Sequence, residues 1–301
     1  LFQYTNHLTQ IFWVPNHALP GWWLAALAVF HVRREIDSAG LIVAFASLFF
    51  WSPLTMAGAL PIAGWLVLRR DFKELLTPRI LVAIAAALCF LPIAAYLAAD
   101  AASVPHLWLF TWDGFWTVYV IFIAVQIPQA AVVALCWRRL EPALRTLAIL
   151  SIGMLLIIPM YRLGAHNDFS MRASIMPLAL LAFVFASIVA RLRLRDGASI
   201  VAAVAVILGL GSFTPALEIQ RAVTMRAFAI SDCNVLTEWH LLEPDTWLAN
   251  YFARADRMPA WLLGDAAKGP PAVIEDRECW PDHPYRALDL PATEWQGTDR
   301  W

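Results

Sequence analysis

Charge is scarce in this sequence. Only 15% of its 301 residues are Asp, Glu, Lys or Arg, against about 25% in a soluble domain. No apolar run carries one of them at its centre. Ion and proton pumps depend on ionisable groups at that depth, so the usual machinery of ion-coupled transport is missing. Soluble-enzyme motifs are missing too: there is no Gly-rich phosphate loop, no Cys-x-x-Cys and no His-Glu-x-x-His. The chain starts at Leu1 rather than Met, with no signal peptide in view. A fragment or processed product lacking upstream spans is therefore expected. Cysteine is limited to four residues. Cys89 and Cys136 lie inside apolar runs and read as small core residues. Cys233 and Cys279 lie in the polar tail, where a disulfide is open to them if the tail is exported.

What the sequence has in abundance is apolar residues, 60% of the total. They fall into eight segments: Ala18–Val32, Leu41–Leu68 divided at Trp51-Ser52-Pro53, Ile80–Ala99, Phe115–Trp137, Thr146–Met160, Ser174–Ala190 and Ser199–Ala216. A spanning helix needs about 20 apolar residues. The pattern predicts an all-α, polytopic integral membrane helix bundle of about eight short spans or half-spans. Residues 1–217 form its transmembrane domain and residues 218–301 a small exported acidic tail. Within that tail, Cys233–Ala253 reads as partly helical and Gly269–Trp301 as loop.

Basic residues set the orientation. Arg33 and Arg34 precede the Leu41–Leu68 stretch, and Arg69, Arg70, Lys73 and Arg79 follow it. The positive-inside bias puts both ends in the cytoplasm, so the stretch is a hairpin tipped by Trp51-Ser52-Pro53. Arg138, Arg139 and Arg145 then fall inside, as do Arg191, Arg193 and Arg195. Leu1–His17, Asp100–Gly114, Tyr161–Ala173 and the tail fall outside. Because topology explains the basic clusters, nucleic-acid binding has no support. The expected surroundings are a lipid bilayer.

Three outer loops carry candidate chemistry. Tyr161–Ala173 holds Arg162 and Arg172 on the face where arginine is disfavoured, beside His166, Asn167 and Asp168. It leads into a helix whose N-terminus offers free N–H groups and partial positive charge. Together these make an anion site suited to the phosphate of a lipid carrier. Asn167 or Asp168 is also placed to cap that helix, and Asp168 to pair with Arg172 at i,i+4. The N-terminal loop adds Asn6, His7, Asn16 and His17. The third loop sets Asp113, with Asp100 and His106 nearby in sequence, among tryptophans that can stack on a sugar ring. A divalent metal held by His7, His17, His166 and Asp168 lacks any supporting ligand spacing. No metal or cofactor is predicted.

The short hairpin helices, the aromatic outer loops and the exported tail resemble bacterial membrane glycosyltransferases of the GT-C superfamily. The run Asn167-Asp168-Phe169-Ser170-Met171-Arg172-Ala173-Ser174-Ile175-Met176-Pro177 resembles a stretch in uncharacterised bacterial membrane proteins of that general type. The resemblance implies sugar transfer from a polyprenyl-phosphate donor at the outer face. It implies a donor-phosphate role for Arg172, helped by Arg162 and His166, and a catalytic carboxylate in a first outer loop upstream of Leu1. Asp113 and Asp168 are the weak candidates within the chain. Two other readings stand beside this one: a transporter or flippase of a lipid-linked glycan, and a non-enzymatic scaffold whose tail binds an envelope protein.

Overall fold

A computed structural model describes residues 2–69, 72–164, 167–193, 197–224, 231–242, 257–263, 275 and 279. Arg70, His166, Arg195, residues 243–253 and Gly269–Trp301, apart from residues 275 and 279, lie outside them. The helices are α1 His7–Trp13, α2 Pro15–Val32, α3 Ser38–Trp51, α4 Pro53–Leu68, α5 Phe72–Leu75, α6 Pro78–Leu88, α7 Leu91–Ala98, α8 Phe115–Gln126, α9 Gln129–Leu135, α10 Pro142–Ile157, α11 Asp168–Ala173, α12 Ile175–Val189, α13 Ala198–Thr224, α14 Val235–Leu242 and α15 Ala260–Leu263. The described residues contain one small sheet. In it β1, His106–Trp108, pairs antiparallel with β2, Tyr161–Leu163, so that Leu107 faces Arg162.

The chain is an α-helical, multi-pass membrane protein, and the span count of eight is not reproduced. Among the described residues, four helical stretches are long and apolar enough to cross: Pro78–Ala98, Pro142–Met160, Asp168–Val189 and Ala198–Thr224. A fifth arises if α8 and α9 count as one span, although they meet at a 73° bend. Pro128 explains the break, since it removes a backbone donor and clashes with the preceding turn. At 14 and 16 residues, α3 and α4 are shorter than full spans. The expected N-terminal loop also contains a helix, because the Asn6 side chain accepts from the Thr9 N–H and starts α1. At the far end, α13 runs through Pro215 and Glu218 to Thr224.

The α11–α12 stretch is the central element, with 61% of its apolar window buried against 6% for α13 and 11% for α6–α7. Ile175, Met176, Leu180, Leu181 and Val184 are fully enclosed by neighbours on α2, α4, α9 and α10. Small residues allow this approach. A Cβ at Gly21 of α2 would lie 2.6 Å from Ile175 Cγ2 and 2.9 Å from Thr55 Cγ2, and one at Gly58 of α4 would lie 2.0 Å from the Ala173 carbonyl oxygen. With no hydrophobic drive between helices in lipid, such close backbone contact is a main source of association.

The bundle has two distinct ends. At one, Arg79 pairs with Asp37 at 2.9 Å, Arg69 donates to Thr146 Oγ1 at 2.6 Å and Arg191 pairs with Glu141 at 2.8 Å. At the other, the α3–α4 turn reaches the start of α2, and the end of α13 reaches α1. There Arg221 lies 4.4 Å over the Trp13 ring and pairs with Glu218 at 2.7 Å. Helices α3 and α4 form the expected hairpin: α3 starts beside Arg79, while α4 returns to set the Leu66 carbonyl 3.3 Å from His31 Nε2. In the tail, Cys233 and Cys279 form a disulfide. Asn234 reinforces it by donating to Glu275 Oε1 at 2.9 Å and capping α14 at Thr237.

Candidate functional site

The site grows from the end opposite the arginine-rich one. Asn167 takes a left-handed conformation, φ 57°, at the N-cap position of α11. Its side chain makes no cap hydrogen bond, so the expected capping role holds for its position alone. Gly164, at φ 85°, turns the chain from β2 towards it. The next residue, Asp168, forms an ion pair with Arg172 Nη2 at 3.1 Å, and their side chains are only 8% and 17% exposed. The i,i+4 pair read from the sequence is present and largely out of water. Between them in sequence, Ser170 is fully buried, and its Oγ has no hydrogen-bond partner among the described residues, although buried hydroxyls nearly always find one.

Two segments distant in sequence close on this turn. His17 Nδ1 lies 2.7 Å from Ser52 Oγ. Ser52 donates onward to Thr55 Oγ1 at 2.6 Å and accepts the Thr55 N–H at 3.3 Å. Which of the two donates in the His17–Ser52 bond follows the His17 tautomer. The Arg172 charge lies close enough to act electrostatically on His17. Gly58, one turn beyond Thr55, seats α4 on Ala173. The packing of α11 on α4 therefore sets the Asp168–Arg172 pair near the His17–Ser52–Thr55 chain.

Aromatic rings line the neighbouring ladder. Tyr161 meets Trp108 at a tilt of 59° with ring centroids 4.9 Å apart and meets Phe169 edge-on at 5.6 Å. Arg162, on β2, turns its Nε to the Gly164 carbonyl at 3.2 Å, so one of its donors serves its own loop. Asp113 is exposed, just before Gly114. His7 is half-buried on α1 and meets Trp22 edge-on at 5.5 Å. His166 lies outside the described residues. Among those residues, no three of His, Cys, Asp and Glu converge to hold a metal.

Ser52, Thr55 and Ser170 escaped the sequence reading. Ser52-Pro53 did carry a signal, since serine before proline is an N-cap followed by a favoured first helical residue.

Burial lowers the His7 pKa below its ordinary value of 6.5. Because the folded value is the lower one, the neutral form's contribution to stability is complete above pH 6.5. It is lost as the pH falls through the folded value. His7 is expected to titrate with a midpoint below 6.5. A His7-specific 15N resonance, identified by its loss in His7→Gln, would show this; a midpoint at or above 6.5 would contradict the burial.

No family model, curated protein or solved structure matches this chain.

Proposed function

We propose that this chain belongs to an integral-membrane glycosyltransferase that takes its sugar from a polyprenyl-phosphate carrier at the non-cytoplasmic boundary of a bacterial inner membrane. The observation that carries the reading is the Asp168–Arg172 pair on α11, which packs against α4 near the Ser52–Thr55 turn that His17 joins, at the end of the bundle away from the arginine cluster. A guanidinium has five donors. Asp168 engages one nitrogen of Arg172 and orients the fork, leaving other donors for phosphate oxygens. As the bond between sugar and carrier phosphate breaks, negative charge grows on the phosphate. A cation already held in place stabilises that charge without reorganising. The Trp108–Tyr161–Phe169 wall offers ring faces to the sugar.

The orientation rests on two independent supports. The arginine-rich end belongs in the cytosol by the positive-inside bias. The Cys233–Cys279 disulfide belongs to an oxidising compartment, which agrees with a tail on the opposite side. A second reading, a flippase for a lipid-linked glycan, draws on the 73° break between α8 and α9, flanked by Gln126 and Gln129. Broken helices often line transport paths. Labelled-sugar transfer separates the two. Membranes containing the protein should move sugar from a polyprenyl-phosphate donor to an acceptor, and Arg172→Gln should abolish this while inserting normally. Carrier movement across the bilayer without sugar transfer would favour the flippase.

A further inference from the structure

The opposite end holds a second polar site. A cavity of about 530 Å³ opens between the end of α2, the end of α4 and the start of α10. Arg34, Arg69, His31, Glu141 and Thr146 contribute its polar wall, and Leu66 part of its apolar one. Glu141 is committed to Arg191 at 2.8 Å. Arg69 donates to the neutral Thr146 hydroxyl and forms no ion pair among the described residues. Arg34 forms no ion pair among the described residues. The cavity thus has two cations and a hydroxyl, while its one carboxylate is already neutralised.

The backbone at Arg34 adds an independent observation. The Glu35 N–H bonds to the Phe30 carbonyl at 2.9 Å and the Arg34 N–H to the His31 carbonyl at 3.0 Å. That is a Schellman ending to α2, with Arg34 at the left-handed position, φ 64°. Glycine normally fills that position because a Cβ there is strained. Strain of this kind persists where the surroundings hold it, often at functional sites. Here the side chain that glycine would lack lines the cavity.

We propose that this cavity binds an anionic phosphate, clamped between Arg34 and Arg69, whose source is either a lipid headgroup or free phosphate. Fork-shaped arginine donors match phosphate oxygens, and basic pockets between membrane helices are suited to phosphate headgroups. The site is separate from the Arg172 patch and does not rest on the transferase reading.

Arg34→Gly provides the test because it relieves the backbone while removing the charge. The variant should unfold at the same temperature as the parent or higher. The purified protein in neutral detergent, at fixed ionic strength, is titrated with dihexanoyl phosphatidic acid, with inorganic phosphate and with dihexanoyl phosphatidylcholine. Saturable binding of the first or second, weakened at least about ten-fold by Arg34→Gly, supports the site. Binding by phosphatidic acid alone identifies a lipid source, and binding by inorganic phosphate with equal strength identifies free phosphate. Affinity unchanged in a folded Arg34→Gly variant, no saturable binding by either anion, or equal binding of the net-neutral phosphatidylcholine would overturn the proposal.

Discussion

Gly58→Ala should loosen the junction between α4 and α11 and lower the unfolding temperature of the detergent-solubilised protein. In an ordinary helix interior the change would be favourable, because alanine is the better helix former by about 1 kcal/mol. Here the new Cβ would stand 2.0 Å from the Ala173 carbonyl oxygen, with the Ala173 carbonyl carbon and Cα each at 2.6 Å. Those atoms are backbone and cannot rotate away. Overpacking costs typically 1–3 kcal/mol and sometimes more, so about 3 kcal/mol is expected, enough to overcome the propensity gain. The melting temperature should fall by roughly 6 °C or more. Gly21→Ala should cost less, because its nearest obstacles, Ile175 Cγ2 and Thr55 Cγ2, are side-chain atoms. A Gly58→Ala protein as stable as the parent would refute the close crossing. The same substitution should weaken sugar transfer, since Ala173 directly follows Arg172.

The second large effect concerns Asp168 and Arg172. Removing one member of a buried pair leaves its partner charged and uncompensated, at a cost of about 3–5 kcal/mol. Asp168→Ala is expected near the lower end, because Arg172 keeps 17% of its side chain exposed and can reach towards water. The double variant Asp168→Ala/Arg172→Met should be less damaging than the two single changes added together, and a double-mutant cycle measures that coupling. Arg172→Gln leaves Asp168 unpaired and carries a similar stability cost, so transfer is compared per amount of folded protein. Arg172→Gln should reduce transfer by about 100-fold or more, the usual cost of losing a donor aimed at developing charge. Arg172→Lys keeps the charge but loses the fork, so it should rescue transfer only in part. Full transfer by a folded Arg172→Gln protein would remove the assignment.

The division of basic residues made the two ends of the bundle legible in the sequence. Arg69, Arg79, Arg138, Arg145 and Arg191 were grouped by composition alone, and the structure gathers Arg69, Arg79 and Arg191 at one end through Thr146, Asp37 and Glu141. The Asp168–Arg172 pair was legible because i,i+4 spacing fixes neighbours within one helix. The number of spans was not. Apolar runs do not reveal that Pro128 bends its helix by 73°, nor that α3 and α4 stop short of a full span. Ser52 and Thr55 were hidden for another reason: their importance comes from His17, 35 positions from Ser52, and pairing at that distance leaves no local pattern. Gly58 is similar, since the carbonyl it accommodates lies on another helix. The β1–β2 ladder joins two loops that the sequence treated separately, each too short to show strand alternation.

The whole account depends on the arginine-rich end and the Arg172 patch facing opposite sides of the membrane. Single cysteines at Trp112 and at Arg139, in a background with Cys89 and Cys136 replaced by serine, can be labelled in intact cells with a membrane-impermeant maleimide. The cysteine at 112 should label at once, and the one at 139 only after the membrane is permeabilised. Equal labelling of both in intact cells, or the reverse order, would contradict the account.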